Sequence, residues 1–184
     1  MNIGDFNLLA KEQSPFQNLP EWQYFLEFIE AYFKNRGLSH PIVVELGVQY
    51  NHQKRFYEEF LGAEHIGIDF KEKLGKPDIL GDTHDEETLN KLKTKLNGRA
   101  INLLFIDADH SYDEVVMDYE MYGPLVQNII AIHDVVHNDP TLPLVLARLL
   151  WEEILRNEWG EDKYTKLLIS LEPVRFGIGL VVKE

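Results

Sequence analysis

The sequence predicts an α/β protein: a doubly wound, mostly parallel sheet closed by an antiparallel hairpin at its C-terminal end. Three observations predict it. Short apolar runs with no polar face alternate with segments whose apolar residues recur every three or four positions, the pattern of buried parallel strands joined by crossover helices. The last two apolar runs, residues 164–171 and 176–182, are separated by residues 172–175 alone, too few for a crossover helix, so they pair antiparallel. Finally, one carboxylate after another falls where a predicted strand stops, on the edge where open α/β sheets bind ligands.

Taken in order, residues 1–20 carry Pro15 and Pro20 and show no clear periodicity, and they read as an arm leading into the fold. Residues 21–37 form an N-terminal helix in which Trp22, Phe25, Leu26, Phe28, Ile29, Tyr32 and Phe33 share one face, with Gly37 at its end. The core occupies residues 41–184. Its first strand, 42–48, turns at Gly47 into a helix over 55–61. A second strand, 65–70, ends on Asp69, and a third, 77–82, ends on Asp82 before a helix over 85–96. The run from Ile101 to Ile106 is a fourth strand leading through Asp107, Asp109 and His110 into a helix over 111–122. The fifth, 129–135, carries His133 and Asp134, and a helix over 143–159 precedes the hairpin.

At 184 residues the chain suits a single domain, 1–184, and its 45% hydrophobic and 27% charged residues are ordinary for a folded globular protein. No apolar run approaches a membrane span and no secretory signal is evident, so a membrane is not an expected partner. The absence of cysteine removes disulfides and thiolate metal sites and fits a cytoplasmic protein. A formal charge of -13 repels phosphate backbones, so nucleic acid is not expected as a partner either.

Glu45, Asp69, Asp82, Asp107 and Asp134 all fall within or at the carboxyl end of a predicted parallel strand, which would gather them along one rim. Each alone could cap the following helix. Gathered together, they would repel one another unless ligand hydroxyls, amines or a metal satisfied them. They separate into two groups. Asp69 lies about 20 residues beyond the glycine turn, where a dinucleotide fold places the acid that holds ribose hydroxyls, so Glu45, Gly47 and Asp69 suggest an adenosine-bearing cofactor. The turn lacks a full GxGxxG, which disfavours NAD and FAD. Asp107, Asp109, His110, His133 and Asp134 form the second group. They suit Mg²⁺ or another divalent cation, or else serve to brace loops.

The segments VVELGVQYNHQ, IGIDF, GDT, LLFIDADHSYDEVVMDYEMYGPLV and IIAIHDV, in this order, resemble class I S-adenosylmethionine-dependent methyltransferases. Within these, the likeness is to the cephalosporin hydroxylase-like proteins and macrocin-type O-methyltransferases. The resemblance implies a Rossmann-like, seven-stranded, mostly parallel sheet and S-adenosylmethionine as cofactor, possessed of an O-methyltransferase activity on a small hydroxylated molecule. It places Glu45 and Gly47 at the methionine end, Asp69 at the ribose and Asp82 and Thr83 by the adenine, with Val48, Asn51, Phe70 and Asp107 also against the cofactor. It also implies a divalent cation at Asp107 and Asp134, with His133 or Asp109 as further ligands, and His110 or His137 as base. The chain departs from the usual Gly-Gly-Ser-like continuation of the turn at Asn51, His52 and Gln53, where side chains could crowd the cofactor or Asn51 could adopt a left-handed conformation. With no insertion to act as a lid, the acceptor would be covered by the N-terminal arm or by a second copy in a homo-oligomer. Two other readings stay open: a non-catalytic methyltransferase-fold binding protein, and a metal-dependent hydroxylase or hydrolase.

Overall fold

The computed structural model describes residues 2–72, 75–136, 145–160, 163–171 and 176–183. Two helices, α1 (Ile3–Gln13) and α2 (Leu19–Asn35), precede β1 (Ile42–Leu46) and α3 (Lys54–Leu61). There follow β2 (Glu64–Asp69), β3 (Ile79–Leu80), α4 (Glu86–Leu96), β4 (Ile101–Ile106), α5 (Tyr112–Tyr122), β5 (Val126–His133), α6 (Ala147–Leu155), β6 (Thr165–Ile169) and β7 (Ile178–Val182). The strands form one seven-stranded sheet in the order β3-β2-β1-β4-β5-β7-β6. β1 to β5 run parallel, and β7 lies antiparallel between β5 and β6, as the short 172–175 connection requires. The order reverses direction between β1 and β4, which opens a crevice beyond their carboxyl ends.

Alternate residues of each central strand face opposite layers. Val44, Leu46, Ile66, Ile68, Leu104, Ile106, Ile130 and Ile132 pack under α4, α5 and α6, against Leu92, Val115, Tyr122 and Trp151. Val43, Leu103, Phe105, Ile129 and Ala131 pack under α1, α2 and α3, against Phe6, Trp22, Phe25 and Phe56. Burial on both faces is why these strands read as continuous apolar runs.

Within the arm expected over residues 1–20, Ile3–Gln13 form a docked helix. Asn2 accepts a hydrogen bond from the Gly4 N–H at 2.8 Å and caps α1, whose Phe6, Leu9 and Ala10 are buried. Phe6 meets Phe56 of α3 edge-on at 5.6 Å. Three buried residues make too narrow a stripe for a strong helical period. α2 starts at Leu19, ahead of the expected 21, because the Asn18 side chain accepts from the Glu21 N–H at 3.3 Å and Pro20 fits the first turn. β3 shrinks to two residues, and β5 begins at Val126. Of the helix expected over 143–159, residues 143 and 144 lie outside the described residues and α6 spans Ala147–Leu155.

Candidate cofactor and acceptor site

A cavity of about 580 Å³ opens at the switch point, a size that suits a small-molecule site. One part of its wall is Gly47, Val48, Asp69, Phe70, Asp82 and Thr83; another is Asp107, Asp109, His110, His133 and Asp134. Most of the residues predicted from sequence therefore meet at one cavity. Glu45 and Asn51 are not on its wall.

The loop after β1 is shaped by backbone constraints. Gly47 has φ +84°, and a Cβ there would sit 2.4 Å from both the Asp107 carbonyl oxygen and Ala108 Cα, so the loops after β1 and β4 can approach this closely only at glycine. Gln49 and Asn51 also have positive φ, 47° and 58°. Asn51 thus adopts the left-handed conformation, and its amide donates to the Lys76 carbonyl at 2.9 Å, away from the cavity. The predicted crowding by Asn51 does not arise, while His52 and Gln53 remain at the wall. Asp69 accepts from the Gln49 N–H at 2.8 Å through one oxygen and from the Lys71 N–H at 2.9 Å through the other. Each oxygen keeps one acceptor site, which fits a pair of ribose hydroxyls. The volume, the glycine approach and this fixed carboxylate fit an adenosine-bearing cofactor.

Glu45 corrects the expectation of a methionine-end ligand. Its position in β1 alternates with Val44 and Leu46 and faces the α2–α3 layer, where it is fully buried and lies 2.8 Å from His65 Nε2. The His65 ring stacks on Tyr57 at 5.2 Å. Burial raises the Glu45 pKa, which the hydrogen bond from His65 opposes.

Beyond β4 and β5 lies a chain of alternating acids and imidazoles. His110 Nδ1 is 3.4 Å from Asp134 Oδ2, while His133 Nδ1 is 3.3 Å from Asp134 Oδ1 and 3.0 Å from Asp107 Oδ1. The His133 contacts are ion pairs, not aligned hydrogen bonds. Burial pulls the His133 pKa down, yet the neighbouring charges of Asp107 and Asp134 outweigh it and raise the value to about 9. The second oxygen of Asp107 accepts from the Gln17 amide at 2.8 Å. Asp109 turns to the Ser111 N–H at 2.8 Å, which lowers its pKa. Asp134 is held at φ 61°, a conformation uncommon outside glycine that recurs at functional sites. For a divalent cation the donors do not fit as folded. The His133 nitrogen fills the space between the two carboxylates, Asp109 is turned aside, and among the described residues no three histidine or acidic side chains group to hold a metal. His137 lies outside the described residues.

Two parts of the site were not read from the sequence. His84 lines the cavity beside Asp82 and Thr83, with Nδ1 2.7 Å from Glu114 Oε2 and Nε2 3.2 Å from the fully buried Asp118. The Asp118 pairing raises the His84 pKa to about 9, against a smaller opposing effect of burial. The signal was present: Asp118 occupies a position in the Val115, Tyr119, Tyr122 stripe that an apolar residue normally fills. The other is the α1–α2 connection. Phe16 reaches the cavity wall and stacks with Tyr50 at 5.9 Å and His52 at 6.1 Å, and Gln17 reaches Asp107.

The strand order and closing hairpin are those of the S-adenosylmethionine-dependent methyltransferase fold. Among solved structures, 98% of the chain matches MycE methyltransferase from the mycinamycin biosynthetic pathway, in complex with Mg and SAH, with a TM-score of 0.67 and 16% identity. The match takes in 55% of MycE, so the chain spans about half the length of that protein. All of the chain matches the O-methyltransferase from Bacillus cereus in complex with SAH, over 92% of that chain, with a TM-score of 0.53 and 14% identity. It likewise matches magnesium protoporphyrin IX methyltransferase from Synechocystis, over 96% of that chain, with a TM-score of 0.55 and 13% identity. At these identities the likeness is one of fold. No protein-family model matches the chain, and no curated protein matches it in sequence.

Proposed function

We propose that this protein is an S-adenosylmethionine-dependent O-methyltransferase acting on a small hydroxylated molecule. The observation that carries the reading is the cavity at the β1–β4 switch point, with Asp69 fixed by two backbone N–H groups on one side and the Asp107–His110–Asp134 wall on the other. The fold supports it, since structures of the same fold hold SAH, and MycE has been solved with Mg, SAH and mycinamycin VI.

When bound, S-adenosylmethionine supplies an electrophilic methyl group on a sulfonium. The chain's own residues supply position and proton transfer. Asp69 would accept hydrogen bonds from the ribose hydroxyls, with Phe70, Asp82 and Thr83 around the adenine. Gly47 and Val48 let the backbone approach the methionine portion. His110, partly exposed and braced through Nδ1 by Asp134, is positioned to take the acceptor's proton at Nε2. Alignment of acceptor and methyl donor is worth about 7–11 kcal/mol of barrier at best, and proton removal about 10²–10⁴ in rate.

Isothermal titration calorimetry with S-adenosylmethionine and SAH tests the reading. Micromolar binding is expected, weakened at least about tenfold by Asp69→Ala and spared by Asp107→Asn. No heat at millimolar ligand would sink it, and equal losses in both variants would refute the division of the cavity.

A further inference from the structure

His52 stands in the segment where the chain departs from a Gly-Gly-Ser-like turn, and its ring lies on the cavity wall. Three contacts fix it there. Nδ1 is 3.0 Å from the Ser14 carbonyl oxygen, and the ring lies near-parallel to Phe16, at 6.1 Å and 6°, and to Tyr50, at 5.4 Å and 26°. A carbonyl oxygen only accepts, so Nδ1 carries the proton that joins them. Nε2, on the other side of the ring from Ser14, has no hydrogen-bond partner among the described residues.

Freedom from acids sets His52 apart. The other three imidazoles on the cavity wall each lie within 3.4 Å of a carboxylate: His84 of Glu114 and Asp118, His110 of Asp134, and His133 of Asp107 and Asp134. A proton on any of those rings serves the acid beside it. Among the described residues no acid pairs with His52, so a proton at its Nε2 is available to a ligand. The surroundings favour an anion there. His52 leads into α3, whose N-cap Gln53 makes no side-chain capping bond and whose first turn contains no acid, so the positive end of that helix is uncompensated. The loop's own amides are committed elsewhere, the Gln49 N–H to Asp69 and the Asn51 N–H to the Val48 carbonyl at 2.6 Å. Lys54 and Arg55, which follow, pair with Asp78, Glu12 and Glu59 and are not on the cavity wall. A carboxylate brought to this loop needs a donor, and His52 carries one.

We propose that His52 binds the carboxylate of the cofactor's methionine portion, donating from Nε2 while Nδ1 holds Ser14. This deepens the cofactor reading above and rests on it. One ring then joins the cofactor to the α1–α2 connection, which carries Gln17 to Asp107. Calorimetry with three ligands isolates the contact: SAH, decarboxylated SAH, which keeps the ammonium, and methylthioadenosine, which lacks both charged groups. The wild type should bind SAH about tenfold more tightly than decarboxylated SAH. His52→Phe keeps a ring for the stack and removes both nitrogens. It should weaken SAH about tenfold and leave the other two ligands within about twofold, with thermal unfolding as the check that it is folded. Nitrogen NMR of the wild type, which depends on no variant, should find Nε2 of His52 protonated in the SAH complex. Equal affinity of the wild type for SAH and its decarboxylated form would overturn the proposal, as would an unprotonated Nε2 in the complex. So would weakening of all three ligands together in His52→Phe, which would make the ring a loop brace, or a loss shared by SAH and decarboxylated SAH alone, which would assign it to the ammonium. Failure of all three ligands to bind the wild type would instead refute the cofactor reading.

Discussion

His84 makes this protein's stability depend on alkaline pH. Its ring joins the loop after β3 to α5, with one nitrogen on Glu114 and the other on Asp118, a carboxylate with no exposure to water. The folded pKa is about 9 against an ordinary 6.5. A raised pKa means that the native state holds the proton more tightly than the unfolded chain. The resulting stability is complete below about pH 6.5 and is lost as pH rises through about 9. Carrying the pKa from 6.5 to about 9 sets an upper bound of about 3.5 kcal/mol. The His84 side chain is 15% exposed and Glu114 is 42% exposed, so solvent screening reduces this to about 2 kcal/mol. His133 has a similarly raised pKa, so the effect is isolated by comparing the wild type with His84→Gln, which keeps a donor but no charge. Urea unfolding should find the variant about 2 kcal/mol less stable at about pH 6 and nearly equal to wild type at about pH 10. SAH affinity should fall in parallel, since the same loop carries Asp82 and Thr83. A stability gap that stays constant across this range would refute the argument, because a packing defect does not titrate.

Two other substitutions test how the site is mounted on the fold. Gly47→Ala forces a Cβ to within 2.4 Å of the Asp107 carbonyl oxygen at a positive φ, and should cost about 1–3 kcal/mol in urea unfolding while abolishing SAH binding by displacing the loop after β4. Glu21, 1% exposed at the start of α2, accepts from the Leu171 N–H at 2.9 Å and the Gly177 N–H at 3.3 Å, tying the helix to the strand ends of the hairpin. Glu21→Gln turns one acceptor into a donor facing a backbone N–H, and should destabilise by about 1.5–3 kcal/mol in the same assay.

The sheet was legible because strands buried on both faces leave no polar residue to interrupt the apolar run, and because four residues cannot hold a crossover helix. The rim was legible because a strand end fixes where an acid sits. What could not be read was direction. In β1 both Val44 and Leu46 are apolar, so nothing local says that Glu45 points into the α2–α3 layer. That is decided by His65 on the neighbouring strand, 20 residues away. Gln17 meets Asp107 across 90 residues of chain, a contact set by how α1 and α2 dock and not by any pattern in their connection. Asp118 is the opposite case, a carboxylate in an apolar stripe that announces a buried partner without naming it.

Three pairings of acids in the interior share one feature. The chain has 31 acids and 18 lysines and arginines, and beside several acids of its interior it places histidine in place of a permanent cation: His65 against Glu45, His84 against Asp118, His133 against Asp107 and Asp134. An imidazole adds at most one charge and is already committed to its carboxylate, so it neutralises the acid it touches without making the surrounding cavity attractive to anions. A lysine or arginine in any of these places would have offered phosphate or carboxylate a binding group. The choice of histidine leaves each of these acids with a partner whose charge depends on pH, so the interior pairs can be loosened by deprotonation in a way that a lysine or arginine pair could not.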